Sequence, residues 1–467
     1  MTNEGVTIDI SYYPGGQTVK QDGGGYYYES TGGTVLLTDE WYPDPEGTYR
    51  KFTHTPENGK IGNIMHNKNS LSGFGSFADK KSVSVYYWSL DNTCSKPLLI
   101  QLGSGNTYYI TEGGDGWKNQ SDINDTNLRK KLNKQNCQRN QAHVIDLSNK
   151  SNGNYTCLSC QKQIQVYSNS YGGTTYYTSR SSYRLSVNSF RDKDVNSWQL
   201  GLPSLNGASG VNVYWNGSGR NPLIVYQQVG NQRYFRKNAG NGTSWIEVSN
   251  AGSLPNGQTP TITTLDFSSS SGITYDGGSS SISITVLRSH IGEGYYGYQY
   301  SLRGAPFMIS GVKHNSTPLT GISFQDALTS VSGYYYGGNN PTDQSNILLI
   351  EVVASGNSKY SYFYRRTKDA DKWAEYSISG GGTTRLQGKG LTQKLDELKE
   401  LKVTLEKLDK LTELEAELSQ LKEKLNESHN TGTVAGSSVG TGLGGAGLGA
   451  LAVWKGPALI ARLITRL

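Results

Sequence analysis

The chain is poor in charge and in cysteine. Charged residues make up 18% of its 467 residues, against ~25% in an average soluble domain. With only 34% hydrophobic residues, the composition excludes a polytopic membrane protein. It also argues against a disordered polyelectrolyte, because Tyr, Ile and Val supply enough side chains to build a core. Four cysteines are too few for a disulfide scaffold in a chain of this length.

Histidines are also few, and they give no catalytic signature. None of them has the spacing of a metal site or of a catalytic triad: His54, His66, His143, His290, His314 and His429. Three aspartates recur along the chain, and we interpret Asp9, Asp146 and Asp266 as turn residues beside strand ends. No acid, base or nucleophile constellation recurs. We therefore expect a non-enzymatic protein with no catalytic residue and no cofactor.

The cysteines leave several chemistries open. Cys157 and Cys160 form a Cys-Leu-Ser-Cys segment, which is half of a zinc site by spacing, but no second close pair follows it. A split four-thiolate site, two disulfides and plain buried thiols all remain open, and buried thiols are the favoured interpretation. The sequence therefore predicts no metal site, with this pair as a weak candidate.

Glycine and tyrosine are in excess, with 58 and 32 residues respectively. Tyrosine favours half-exposed strands, and glycine favours turns. Apolar runs of four to six residues alternate with clusters of Gly, Asn, Ser and Asp, which is typical of short antiparallel strands. We predict a mainly β fold with β-sandwich-like units, with α+β units as the alternative, and one short helix near residues 123–136.

Three landmarks recur in the same order and indicate internal repeats. An Asp-apolar-Ser segment comes first, a Tyr-rich strand with an apolar partner strand follows, and a tryptophan comes last: Trp117, Trp245 and Trp373, spaced by 128 residues. A period of this length is normal for domains and too long for a solenoid. We predict three tandem β-rich repeats, residues 1–140, 141–258 and a degenerate 259–385.

The recurring aromatic residues have two interpretations. A shared core is favoured, and a ligand platform is the alternative. Tyr87 and Trp88 are neighbours in a predicted strand, so they point to opposite faces and at most one is expected in the core. Two further segments combine aromatic and basic residues. The candidate ligand-binding residues are Tyr87, Trp88, Trp215, Tyr234, Arg236, Tyr364 and Arg365.

Residues 391–428 are different in kind. Leucines recur every three or four residues between charged residues, and no Gly or Pro interrupts them. The spacing predicts a long amphipathic helix. We expect coiled-coil self-association into a homo-oligomer, and packing of the helix on its own chain is the alternative.

The C-terminal residues 429–467 are a membrane-anchor candidate. Residues 434–454 carry no charge and are long enough to span a bilayer as a helix. An interfacial helix and a flexible Gly-rich linker are alternatives. Because the N-terminus lacks a signal-peptide pattern, we expect a single C-terminal anchor. Its expected residues are a close-packing glycine face and the flank beyond it: Gly436, Gly440, Gly444, Trp454 and Lys455.

Three segments together carry a resemblance to a known family. They are the Asp-apolar-Ser openings, the Val-Ser-Val-Tyr-Tyr-Trp strand at 83–88 with its Pro-Leu-Leu-Ile partner, and the segment Ala-Val-Trp-Lys-Gly-Pro-Ala-Leu-Ile-Ala-Arg-Leu at 452–463. The chain resembles the lineage-specific repeat families of piroplasm parasites, most of all hypothetical proteins of the Theileria equi type, and loosely FAINT-domain proteins. The resemblance implies a parasite protein that is exposed to host material or attached to a membrane. It implies no active site.

These features lead to two functional hypotheses. The first is a membrane-attached interaction protein that displays three β-rich domains on a helical stalk toward a host protein or glycan. The alternative is a soluble glycan- or nucleic-acid-binding β-module protein. Nucleic acid is the less favoured partner, because the net charge of +6 is not concentrated on one segment.

Overall fold

Strands form where short runs of Val, Ile and Tyr lie between Gly, Asn and Asp. The structure is a computed structural model that describes residues 5–22, 25–111, 113–171, 174–180, 184–193, 197–215, 223–228, 231–238, 243–248, 261–262, 264–270, 273–276, 281–292, 294–322, 324, 326–337, 346–355, 359–365, 372–376 and 384–430. The fold class is confirmed as mainly β with several sheets and one long C-terminal helix. The chain divides into two compact units, Met1–Glu406 and Lys407–Leu467.

The described elements follow the predicted repeats in order. The first repeat contains β1 Val6–Asp9, β2 Lys20–Asp22, β3 Gly25–Ser30, β4 Gly33–Tyr42, β5 Tyr49–Pro56, β6 Ile61–His66, β7 Asn69–Ser70, β8 Val83–Trp88, β9 Leu99–Leu102, β10 Tyr108–Ile110, β11 Lys118–Asn119 and α1 Leu128–Asn140. The second contains β12 Ala142–Asp146, β13 Gly153–Thr156, β14 Gln163–Tyr171, β15 Thr174–Arg180, β16 Leu185–Asp192, β17 Ser197–Trp198, β18 Leu205–Ala208, β19 Gly210–Tyr214, β20 Leu223–Gln228, β21 Asn231–Lys237 and β22 Trp245–Val248.

The third repeat contains β23 Thr261–Ile262, β24 Leu265–Asp266, β25 Ile273–Asp276, β26 Ser281–Gly292, β27 Tyr295–Ser301, β28 Met308–Ile309, β29 Val312–His314, β30 Thr317–Leu319, β31 Leu328–Tyr336, β32 Ile347–Ala354, β33 Tyr360–Arg365 and β34 Trp373–Tyr376. The long helix α2, Gly388–Asn430, follows it. The boundaries of the three repeats stay predictions.

The first and third repeats share one large sheet. Its strand order is β11-β10-β9-β8-β5-β4-β26-β27-β31-β32-β33-β34, with β2, β3 and β25 paired beside this path. The two halves meet where β4 pairs with β26 at Asp39 and His290. The second repeat forms its own seven-stranded sheet, β13-β14-β15-β19-β20-β21-β22, and a four-stranded sheet of β12, β16, β17 and β18.

A parallel strand pair recurs at the start of each repeat. The pairs are β1 with β6, β12 with β16, and β24 with β29. The Tyr-rich strand also pairs with the apolar strand that follows it in all three repeats, as β8 with β9, β19 with β20, and β31 with β32. Two of the three landmarks in the sequence, the Asp-apolar-Ser segment and the Tyr-rich strand, therefore correspond to equivalent pairings in the structure.

Both faces of the large sheet are covered near β8. Tyr87 and Trp88 are 0% and 3% exposed, so the expectation that at most one of them lies in the core is wrong. Tyr87 packs in the largest core cluster, whereas Trp88 packs with Leu128 and Leu132 of α1 on the opposite face. A helix laid on the second face is the physical reason, since alternation alone assumes one solvated face.

The short helix α1 begins later than predicted. Residues before it form a turn in which Asn127 donates from Nδ2 to the carbonyl oxygen of Asp122 at 2.6 Å. The helix ends at Asn140 because Gln141 adopts a left-handed backbone conformation, with φ 55°, and returns its N–H to the carbonyl oxygen of Asn136. This turn sends the chain directly into β12.

The long helix α2 is confirmed, with three more residues at its start and two more at its end than predicted. Its first turns pack on the third repeat, where Leu391, Leu395 and Leu398 are buried against residues such as Leu349 and Tyr362. Packing on its own chain is therefore correct for these turns. The leucines of residues 411–421 are exposed instead.

Candidate functional site

The Asp-apolar-Ser segment forms the same turn three times. In the first copy, Oδ1 of Asp9 accepts hydrogen bonds from the backbone N–H and the hydroxyl of Ser11, at 3.0 and 2.6 Å, and from the N–H of Asn67 at 3.2 Å. The equivalent bonds join Asp146 to Ser148 and Lys193, and Asp266 to Ser268 and Asn315. The interpretation of these aspartates as turn residues is confirmed.

A glycine lies against the backbone of each repeated tryptophan. A Cβ added to Gly73, where φ is +92°, would lie less than 3.0 Å from the carbonyl oxygen of Trp117. The equivalent pairs are Gly201 with Trp245 and Gly321 with Trp373, with φ +86° and +83°. The backbone N–H of each tryptophan donates to the carbonyl oxygen of the residue before the glycine, for example that of Trp117 to Ser72 at 2.8 Å. The sequence shows the tryptophans as a repeat but does not single out the glycines, although the first two pairs share a spacing of 44 residues.

Tyr87 and Trp88 are placed as structural residues. The Tyr87 hydroxyl donates to the carbonyl oxygen of Ile10 at 2.8 Å, inside the first Asp-apolar-Ser turn. In the third repeat, the hydroxyl of Tyr335 donates to the matching carbonyl of Phe267 at 3.2 Å. These bonds fasten the turn to the Tyr-rich strand. A buried ring also lacks the exposed face that stacking on a sugar or base requires.

Three other candidate residues already have neighbours on their own chain. Trp215 is half-buried against the second-repeat core, and Nζ of Lys150 lies 3.7 Å from the centre of its ring. Tyr364 is 6% exposed and packs in the cluster under α2. Arg365 donates from Nη2 to the carbonyl oxygen of Ile347 at 3.4 Å. Their ligand-binding role stays a prediction.

Tyr234 and Arg236 lie on an aromatic face of the seven-stranded sheet. Opposed residues in neighbouring antiparallel strands share a face, and so do residues two apart. By this rule the register places both of them on one face with three further tyrosines: Tyr167, Tyr176 and Tyr214. Tyr167 is 43% exposed, and the rings of Tyr176 and Tyr214 stack with centroids 4.6 Å apart.

A carboxyl group with a raised pKa lies in the interior. Burial raises the pKa of Glu351 above its usual range, which is a common mark of an active site. Its side chain is 0% exposed, however, and it accepts hydrogen bonds from the hydroxyl of Tyr362 at 2.8 Å and from Nη2 of Arg385 at 2.7 Å. Arg385 also forms an ion pair with Asp44 of the first repeat. The group joins parts of the fold and is closed to a substrate.

Two histidines are also structural. Burial lowers the pKa of His54 to about 3 and that of His290 to about 4, so both imidazoles are neutral at pH 7. His54 shares a hydrogen bond of 3.1 Å with the hydroxyl of Tyr28, through Nδ1. His290 lies at the β4–β26 junction with ring centroids 4.8 Å from Tyr26 and 5.0 Å from Tyr296.

One cluster joins side chains that are metal ligands in other proteins. The ligand atoms of Cys137, His143, Cys157 and Cys160 all lie within 4.8 Å of one another. The sequence singles out Cys157 and Cys160 by their spacing and leaves a split four-thiolate site open, which would include Cys137, but it gives no reason to add His143. His143 is the ligand-type residue that the sequence missed, because its approach to the cysteines depends on the left-handed turn at Gln141 that joins α1 to β12.

Three elements position these four side chains. Cys137 lies in the last turn of α1, and His143 is the second residue of β12. Cys157 and Cys160 occupy the tight turn between β13 and β14, where the Cys157 N–H donates to the carbonyl oxygen of Lys162 at 2.8 Å. A left-handed residue after the turn, Gln161 with φ 62°, brings the two cysteines to one side of the hairpin.

The geometry of the cluster is compact and mostly buried. Sγ of Cys137 lies 3.7 Å from Sγ of Cys157, and Nδ1 of His143 lies 3.1 Å from Sγ of Cys137 and 3.4 Å from Sγ of Cys160. Cys137 and Cys160 are joined as a disulfide, with Cα atoms 6.0 Å apart. Burial, and then the charge of Lys162, lower the pKa of His143.

The anchor candidates Gly436, Gly440, Gly444, Trp454 and Lys455 lie outside the described residues. Across the described part of the chain, no helix combines the length and the apolar character needed to cross a membrane.

No family model, curated protein or solved structure matches this chain.

Proposed function

We propose that this chain is a non-enzymatic, membrane-attached interaction protein of a piroplasm-type parasite, which presents β-rich repeats to a host protein or glycan and self-associates through α2. Each repeat is proposed to be a β-sandwich-like unit, and residues 429–467 are proposed to form the anchor. The observation that carries the proposal is an exposed row of leucines on α2. A row of exposed leucines is a feature of an interaction surface, and it supports the proposal.

The exposed leucines have the spacing of a coiled coil. Leu411, Leu414, Leu418 and Leu421 are 57%, 59%, 53% and 63% exposed. They follow steps of three, four and three residues, which place them at a and d positions of successive heptads. Fully burying a leucine side chain contributes about 1.5–3 kcal/mol, so this row favours a partner helix that covers it.

The charged residues beside the row favour a second copy of the same chain. With Leu411 and Leu418 at a, the g and e positions of a parallel pair face each other across the interface. Lys410 at g then faces Glu415 at e of the second copy, and Glu417 at g faces Lys422 at e. All four residues are exposed. Each contact pairs opposite charges, as self-association in parallel register requires.

Substitution of one leucine in the proposed helix–helix interface tests self-association. Leu418→Asp places a charge in the seam, and we expect it to weaken association of the full chain by about tenfold or more. Ala416→Asp, on the opposite side of the helix at an f position, is the matched control and should leave the mass unchanged. Light scattering after gel filtration measures both. Equal masses for the two variants would refute the leucine seam.

A charge swap tests the identity of the partner. The double variant Lys410→Glu and Lys422→Glu should dissociate from itself, because like charges then face each other. Mixing it with the variant Glu415→Lys and Glu417→Lys should restore a mixed complex. Failure of the mixture to associate, with both variants folded, would exclude parallel pairing of two copies.

The membrane claim rests on the composition of residues 431–467 and has its own test. Deletion of these residues should move the chain from the membrane pellet to the supernatant of a fractionated cell. A control deletion of residues 1–4 should not change the fractionation. Unchanged partitioning after the C-terminal deletion would refute the anchor and leave self-association through α2 unaffected.

A second candidate function, glycan binding by a soluble β-module, is favoured by the aromatic face of the second repeat. The tyrosines of this face carry rings of the kind that stack on sugars, and Arg236 lies on the same face. Binding of the full chain to a glycan array, abolished by Tyr167→Ala and Tyr234→Ala, would support this function. A blank array would remove it.

A further inference from the structure

We propose that the chain with reduced cysteines binds one Zn²⁺ ion through Cys137, His143, Cys157 and Cys160. The site is structural: four protein ligands close the coordination sphere and leave no position for a substrate. Its role is to join α1, β12 and the β13–β14 hairpin at one point. This site is independent of the proposed self-association and of the membrane anchor.

Two distances in the cluster match tetrahedral zinc, whereas the sulfurs of Cys137 and Cys160, which are bonded to each other, must separate. Zinc binds thiolate sulfur at ~2.3 Å and imidazole nitrogen at ~2.0–2.1 Å, which places tetrahedral sulfurs about 3.8 Å apart and sulfur about 3.5 Å from nitrogen. The Cys137–Cys157 sulfur pair is at 3.7 Å, and Nδ1 of His143 is 3.4 Å from the sulfur of Cys160. The whole set lies within 4.8 Å. A zinc ion at its centre therefore requires shifts of less than about 1 Å.

A metal accounts for all four side chains, whereas a disulfide accounts for two. The Cys137–Cys160 bond gives no role to the thiol of Cys157 or to the imidazole of His143, although both converge on the same point. The two states exclude each other because both use Cys137 and Cys160. The proposal concerns the chain with all four thiols reduced, so it includes no redox step.

The charge and the surroundings suit a structural zinc. Three thiolates and one neutral imidazole around Zn²⁺ give a net charge of −1. Lys162, whose carbonyl oxygen accepts a hydrogen bond from the N–H of Cys157, brings a positive charge next to the cysteine turn. Cys137 and Cys157 are 0% exposed within the core of the second repeat. A dry, apolar shell around the thiolates slows their oxidation and the loss of the metal.

The zinc site would stabilise the start of the second repeat. In the described part of the chain, its two sheets share no strand with the large sheet of the first and third repeats. The zinc would join the helix that leaves the first repeat to the first strand and first hairpin of the second.

Metal analysis of the full chain is the first test. We would reduce the protein, reconstitute it with zinc, remove loose metal with a chelating resin and measure zinc by mass spectrometry. We expect about one zinc per chain, and replacement by Co²⁺ should give the absorption of tetrahedral cobalt–thiolate. Less than about a tenth of an equivalent would overturn the proposal, as would a Cys137–Cys160 disulfide that survives reductant and excess zinc in peptide mapping.

Variants identify the ligands. Cys157→Ser and His143→Ala should each lower bound zinc about tenfold or more. Cys94→Ala removes a buried thiol outside the cluster and should keep about one equivalent. If a ligand variant fails to fold, thiol labelling of the wild type decides: zinc should protect three cysteines from alkylation until a strong chelator is added. Labelling that is the same with and without zinc would overturn the proposal.

Discussion

Replacing Gly73 by alanine tests the repeated contact between glycine and tryptophan. A Cβ at this position meets the carbonyl oxygen of Trp117 at less than 3.0 Å, and φ is +92°. The obstacle is backbone, so a side-chain rotation does not relieve it. The Trp117 N–H to Ser72 hydrogen bond of 2.8 Å holds the two segments together and must break or stretch.

The expected loss of stability has two parts. An alanine in a left-handed conformation costs about 1–2 kcal/mol. Separation of the two segments costs about 0.5–1.5 kcal/mol more for the broken hydrogen bond, since Ser72 is exposed. The lower entropy of the unfolded alanine chain returns only about 0.4–1 kcal/mol. We therefore expect Gly73→Ala to lower the free energy of unfolding by about 1–3 kcal/mol.

The chain contains a matched control for the cost of placing an alanine in a left-handed backbone conformation. Gly15 has φ +87°, but nothing lies within 4 Å of a Cβ built there. Gly15→Ala should therefore lower the free energy of unfolding only by the cost of the left-handed conformation, about 1 kcal/mol. The assay is urea unfolding followed by tryptophan fluorescence and far-UV circular dichroism. If Gly73→Ala loses no more stability than Gly15→Ala, the close contact does not carry the energy assigned to it.

Two further predictions concern buried polar groups. Burial lowers the pKa of His54 to about 3, so between pH 6.5 and pH 3 the unfolded chain binds a proton that the folded chain does not. The free energy of unfolding is therefore highest above pH 6.5. It falls by about 1.4 kcal/mol for each pH unit as the pH drops toward 3. His54→Gln should reduce the loss between pH 7 and pH 5 by about 2 kcal/mol, while an unchanged slope in urea titrations would contradict the assignment. Asn188 donates to the hydroxyl of Tyr49 at 2.7 Å and to Oδ1 of Asn133 at 2.8 Å. In thermal unfolding, Asn188→Ala should lower the free energy of unfolding by about 2–4 kcal/mol. A loss under about 0.5 kcal/mol would show that this buried hydrogen-bond network does not stabilise the fold.

Local features of the fold were predictable from the sequence. The strand around Tyr87 and its partner strand are short apolar runs between turn residues, and α2 has uninterrupted helical periodicity. The Asp-apolar-Ser turn depends only on residues two apart, such as Asp9 and Ser11. Each of these features is set by neighbours along the chain, so a single sequence contains the information.

Non-local features were not predictable. The first and third repeats meet at Asp39 and His290, which are far apart in sequence and carry no pairing signal. Trp88 is buried because α1 covers the second face of its sheet, and periodicity within one strand does not show what lies above it. His143 reaches the cysteines through a left-handed turn at a glutamine, and this residue type does not predict such a turn.

Sedimentation equilibrium of the full chain, in neutrally buoyant detergent, most directly tests the proposal that this is a self-associating interaction protein. We expect a mass of at least two chains that falls to one chain on dilution, and a shift of this equilibrium toward one chain in Leu418→Asp. A mass of one chain at every concentration up to about 100 µM would contradict it.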